Sequence, residues 1–175
     1  LHDALPICLQ LERLMTAAGY VGGAQSAVDL ALAYAKERKQ FGKPIGTFQA
    51  IAHMLADMQT AVEASRLMMW RAAWQLSRGE DALMAISQAK LFGSEAYANI
   101  ANQGMQIMGG YGYIMEFDMQ RHYRDARITA IYEGTNGIQA IDLVTRKIGL
   151  QGGALVAGEI ARMREVAKQV AAKIG

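Results

Sequence analysis

At 175 residues the chain is one domain by size and long enough to bury a sizeable core. Hydrophobic content of 52% with 19% charged residues excludes a disordered chain, and a net charge of +2 supplies no broad field for nucleic acid or an anionic membrane. The single cysteine, Cys8, allows no intrachain disulfide, and no apolar run approaches the roughly 20 residues of a membrane span.

Residues 1–8, "LHDALPIC", do not continue into the pattern that follows, and Pro6 interrupts them; they are set apart as a leader without a function. Leu11, Leu14, Met15, Ala18, Val28, Leu32 and Ala35 predict a first helix over residues 9–39. Gly42, Pro44 and Gly46 break it, with Thr47 as a cap for the next. Ile51, Met54, Leu55, Met58 and Val62 lay an apolar stripe on a second helix over 48–78. Asp81 caps a third, which runs to Met108 and stops at Gly109-Gly110. An irregular stretch over 111–132 holds a short helix near 119–124. Thr135 caps a fourth helix to Ile148, and a last one covers 154–174. Long helices on short turns predict an all-α fold: an antiparallel up-down four-helix bundle over 9–150, with an extra C-terminal helix over 151–175.

Four features carry candidate chemistry. Glu133, in "IYEGTNGIQ" (residues 131–139), reads either as an acidic residue favoured at a helix start or as a carboxylate held in an apolar pocket to move a proton. The cluster "QIMGGYGY" (106–113) reads as a helix end or as backbone that a planar or phosphate-bearing ligand approaches, with Gln106 as an orienting amide. "KERKQFG" (36–42) reads as a solvated helix end or as a guanidinium and an aromatic edge gripping a pyrophosphate and a ring. "DMQRHYRDAR" reads as an ion-pair network or a phosphate contact. His2, His53 and His122 lack metal-ligand spacing and are taken as ordinary polar residues, so no metal is expected. Trp70 and Trp74, one turn apart, suit a core or a subunit interface.

Three segments in order, "ERKQFGKPIGTFQAIAHMLADM", "QIMGGYGYIMEFDMQRHYRDARI" and "IYEGTNGIQ", resemble the C-terminal helical domain of the acyl-CoA dehydrogenase flavoproteins over residues 11–148. The resemblance implies FAD as cofactor and an acyl-CoA thioester as substrate. Glu133 would take the α-proton while flavin N5 accepts hydride from Cβ. It carries over FAD contacts to Arg38, Lys39, Gln40, Phe41, Gln49, Gln106, Ile107, Met108, Gly109, Gly110, Thr135, Asn136 and Gly137, and substrate contacts to Arg13 and Gly134. It also implies a homodimer or homotetramer and an electron-transfer flavoprotein as acceptor. The compartment would be cytoplasmic in a bacterium or the mitochondrial matrix in a eukaryote.

Two departures bear on the site. Gly137 stands where many members carry Gln or Glu, and Glu12 matches the position from which some relatives supply the base. The family's N-terminal helical and middle β-domains are absent from this sequence, so the chain by itself is expected to be inactive. An acyl-CoA oxidase of the same fold and a non-catalytic oligomerisation bundle are the alternatives. The wording "EGTNGIQAIDLVTRK" resembles the branch with 3-methylmercaptopropionyl-CoA dehydrogenase-like proteins.

Overall fold

Good helix formers run almost unbroken between the two prolines, and the longest helix forms there. In the computed structural model, which describes residues 4–132 and 135–174, α1 spans Ala4–Glu37. It begins earlier than predicted because Pro6 falls in the first turn, where a missing N–H costs no helical hydrogen bond. A two-residue antiparallel hairpin that the sequence did not announce follows: β1 (Lys39–Gln40) pairs with β2 (Lys43–Pro44). Then come α2 (Gln49–Ser77), α3 (Leu83–Met108), the single turn α4 (Gly110–Tyr113) and α5 (Met119–Thr129). The chain continues as α6 (Asn136–Asp142), a π-helical turn (Leu143–Lys147), a 3-10 turn (Leu150–Gly153) and α7 (Ala154–Ile174). The fold is all-α, as the periodicity predicts.

The chain divides into two compact units, residues 1–136 and 137–175. In the first unit, α1, α2 and α3 pack pairwise and α5 lies against α1 and α3. α5 is longer than the short helix expected near 119–124. Its buried face, Met119, His122, Ala126 and Thr129, repeats at helical spacing among charged neighbours. The buried stripe of α1 is Leu14, Ala17, Tyr20, Val21, Ala24, Val28, Ala31 and Ala35. Leu11, Met15 and Leu32 from the predicted stripe are exposed instead. The stripe is rich in alanine, so the partner helices approach closely and make the core with Met58, Val62, Ile100 and Ala101. The second unit holds α7, whose Ile160, Met163, Val166 and Val170 are exposed.

Two caps differ from expectation. Thr47 donates its hydroxyl to Pro44 O at 2.7 Å, and Phe48, without a side-chain cap bond, precedes α2. Asp81 accepts the Leu83 N–H at 3.0 Å, one residue outside the Ala82 cap position of α3. Among the described residues no helix is long and apolar enough to cross a membrane.

Candidate functional site

Leu11, Met15 and Gly19 recur every four residues on α1, so they share one side of the helix. They line a cavity of about 740 Å³ with Glu12, Thr16 and Tyr20 of the same helix, Tyr97 of α3, Asp125, Ile128 and Thr129 of α5, and Tyr132. Leu11 and Met15 failed as core residues because they face this space.

Behind the cavity wall the buried Tyr97 and His122 join a hydrogen-bonded group that reaches the exposed Ser26. The Tyr97 hydroxyl sits 2.9 Å from His122 Nδ1, and Ser26 Oγ sits 3.3 Å from His122 Nε2. Burial, reinforced by Arg121 and opposed by Asp118 and Asp125, lowers the His122 pKa below its ordinary 6.5. Burial, aided by Asp125 and opposed by Arg121, raises that of Tyr97. A neutral imidazole has one donor and one acceptor nitrogen, so His122 bridges the Tyr97 and Ser26 hydroxyls. A Cβ at Gly23 would stand 2.7 Å from the Tyr97 hydroxyl and ring, so the missing side chain makes room for the phenol. His122 is thus no ordinary surface residue. Its place in the Met119, Ala126, Thr129 period was the available signal.

A second site lies at the end of α3. Gly109, at φ 59°, closes the helix, and its N–H donates to Met105 O at 2.9 Å. The left-handed backbone there favours glycine. A cleft of about 450 Å³ opens between Tyr34, Arg38, Met108, Gly109, Gly110, Tyr111 and Ile114. The Arg38 guanidinium stands 5.9 Å from the Tyr111 ring centroid. On the adjoining hairpin Phe41 is 93% exposed and holds φ 51°. Lys43 lies over the Phe48 ring at 4.4 Å. An exposed aromatic at positive φ is costly to hold in water.

Of the expected FAD contacts, Arg38, Met108, Gly109 and Gly110 meet in this cleft. Lys39, Gln40 and Phe41 follow on the exposed hairpin, and Gln49 and Gln106 are exposed at helix ends. The Ile107 and Met108 side chains are buried in the core, which leaves backbone for a ligand to meet. Arg13 is half-buried beside Glu12. Thr135 is exposed, and the Asn136 side chain is engaged with α3. Gly137 is exposed in the second unit. Glu133 and Gly134 lie outside the described residues. The charged run on α5 forms exposed pairs, Arg121 with Asp118 at 3.7 Å and Arg124 with Asp125 at 3.5 Å, of the kind that contribute little stability. Among the described residues no group of three His, Cys, Asp or Glu could hold a metal. The cleft, with its guanidinium, ring faces and open glycine backbone, suits a flat, phosphate-bearing group.

The first unit is an all-α domain that carries a cavity and a glycine-edged cleft. The model of the acyl-CoA dehydrogenase C-terminal domain matches residues 5–148, and the chain belongs to this family of flavoprotein oxidoreductases. It is 48% identical over 131 residues to a subunit of the caffeyl-CoA reductase–Etf complex of Acetobacterium woodii, covering 75% of this chain and 35% of that protein. It is 47% identical over 133 residues to the mitochondrial short-chain specific acyl-CoA dehydrogenase of Bos taurus, covering 76% and 32%. The solved structure of PigA with FAD and proline superposes with a TM-score of 0.78, at 35% identity over 82% of this chain and 37% of that one. The chain spans about a third of the length of the curated relatives it matches.

Proposed function

We propose that this chain is the C-terminal part of an FAD-dependent acyl-CoA dehydrogenase that converts an acyl-CoA thioester to the 2,3-enoyl-CoA. The observation that carries the reading is the cavity bordered by Tyr132, the residue before Glu133, on the same helical scaffold as the glycine-edged cleft. Glu133 is the base that takes the α-proton. Its backbone N–H polarises the thioester carbonyl, which makes that C–H acidic enough to lose. The apolar wall of Leu11, Met15 and Ile128 accepts the acyl chain and keeps water from the carboxylate. Arg13 and Gly134 border the substrate.

Arg38, Lys39, Gln40, Phe41, Gln49, residues 106–110 and Thr135 to Gly137 would hold FAD. When bound, FAD supplies the acceptor for the hydride leaving Cβ. Arg38 and the open backbone at Gly109 and Gly110 would hold its phosphates, and Phe41 would offer it a ring face. The caffeyl-CoA relative works in an Etf complex, which supports an electron-transfer flavoprotein as acceptor. The exposed face of Leu67, Trp70 and Trp74 on α2 supports a homodimer or homotetramer. The compartment is cytoplasmic in a bacterial host and the matrix in a eukaryotic one.

The test is a full-length protein carrying this chain together with the N-terminal and middle domains of its family. It should be yellow and bleach anaerobically on adding an acyl-CoA. A colourless protein ends the enzyme reading in favour of a structural bundle, and stoichiometric peroxide formation identifies an oxidase instead.

A further inference from the structure

Leu11, Met15 and Gly19 follow one i, i+4 row along α1, and all three line the large cavity. Gly23 is the next residue of that row, and the cavity stops short of it. Tyr97, from α3, stands there instead. A Cβ at Gly23 would lie 2.7 Å from the Tyr97 hydroxyl and ring, so the phenol fills the place of a side chain. A Cβ at Gly19, by contrast, meets nothing within 4 Å. The row is therefore open over Gly19 and plugged over Gly23. Exposure agrees: Met15 is 67% exposed and Tyr97 only 7%, so the open end lies at the start of the row and the closed end at the ring.

The plug is fixed from behind. The Tyr97 hydroxyl is bonded to His122 Nδ1 at 2.9 Å, and the two rings meet edge to face with centroids 6.1 Å apart. With its hydroxyl engaged by the protein, Tyr97 turns ring carbon to the cavity, and an apolar end sorts ligands by size rather than by polarity. We propose that Tyr97 is a specificity-determining residue: seated in the gap left by Gly23, it ends the groove along α1 and sets the length of acyl chain that the cavity admits. The inference deepens the dehydrogenase reading and rests on it. Tyr97 lies outside all three motifs and outside the family contacts carried over to this chain.

The experiment profiles the full-length holoenzyme against a graded series of straight-chain acyl-CoAs. Tyr97→Ala removes the plug and extends the groove by one step of the row, about 6 Å. The ratio of kcat/KM for long over short chains should then rise about tenfold or more. Gly23→Ala acts in the opposite sense. Its Cβ takes the place of the ring, and the open space that the ring borders is the cavity. That variant should lower the same ratio about tenfold. Ile86→Ala empties part of the separate core cluster around Leu14 and Ala85, so it should cost stability and leave the ratio where it was. S-alkyl thioethers of CoA lack the carbonyl and cannot be oxidised; their dissociation constants, from calorimetry, should follow the same order of chain lengths in each variant. Should Tyr97→Ala fail to fold, Tyr97→Leu, which leaves a smaller void, and Gly23→Ala decide the matter by shifting the ratio in opposite directions. A ratio unmoved by the Tyr97 and Gly23 variants, or moved as far by Ile86→Ala, overturns the inference. An active enzyme with an unaltered profile sinks this inference alone, whereas a yellow protein that binds the thioethers in the expected order and oxidises no acyl-CoA sinks the dehydrogenase reading beneath it.

Discussion

Two carboxylates compete for the role of base. Glu12 stands on the cavity wall, and Glu133 follows Tyr132, which borders the same cavity. The assignment to Glu133 predicts that Glu133→Gln in the full-length protein still binds FAD and acyl-CoA but loses turnover by roughly three orders of magnitude or more. Glu12→Gln should cost less than about tenfold; steady-state kinetics on both variants checks the order. The Tyr97–His122 pair makes a second prediction, in stability. The His122 pKa is lowered by folding, so the unfolded chain takes up its proton first as pH falls. Its contribution is complete above the ordinary value of 6.5 and is lost as pH falls through the folded value. Tyr97 is the mirror case: its contribution is complete below 10.0 and is lost as pH rises through the raised folded value. Thermal melts across this range should show a Tm that declines on the acid side, and His122→Leu should flatten that decline. An equal acid slope in wild type and variant would refute it.

Elements show where backbone and side chains must give way to each other. A Cβ at Gly112 would meet the Met105 Cα and carbonyl at 2.9 Å, and backbone cannot move aside cheaply. Gly112→Ala should destabilise the chain by about 1–3 kcal/mol in denaturant unfolding. By contrast, a Cβ at Gly22 in the middle of α1 meets nothing within 4 Å. Gly22→Ala should stabilise by about 0.5–1 kcal/mol through helix propensity. Phe41 at the hairpin tip is the reverse case, a bulky residue in a left-handed conformation. Phe41→Asn should raise stability by up to about 1 kcal/mol while weakening FAD binding in the full-length protein. Titration of the apoprotein with FAD measures the second effect. A variant equally tight for FAD would show that the strained ring serves something else.

On the scale of the whole molecule, Trp70 and Trp74 are exposed, so the core half of their sequence reading is overturned and the interface half stands as a proposal. Trp70→Lys in the full-length protein should lower the mass seen by light scattering; an unchanged mass would remove this face from the interface. By itself the sequence determined the all-α class, because helical periodicity and the placement of glycine and proline are local properties of the chain. It also determined the three motifs and the glycines that end α3, since a breaker acts on its immediate neighbours. Tertiary structure decided the rest. Leu11 and Met15 look like core in the helical period, yet they line a cavity, because the facing surface is set by how α3 and α5 approach α1. Lys90 and Asn136 are 46 residues apart, and His122 and Ser26 are 96 apart. A hydrogen bond between such distant residues exists only once packing has brought their helices together, so no local pattern could have announced it.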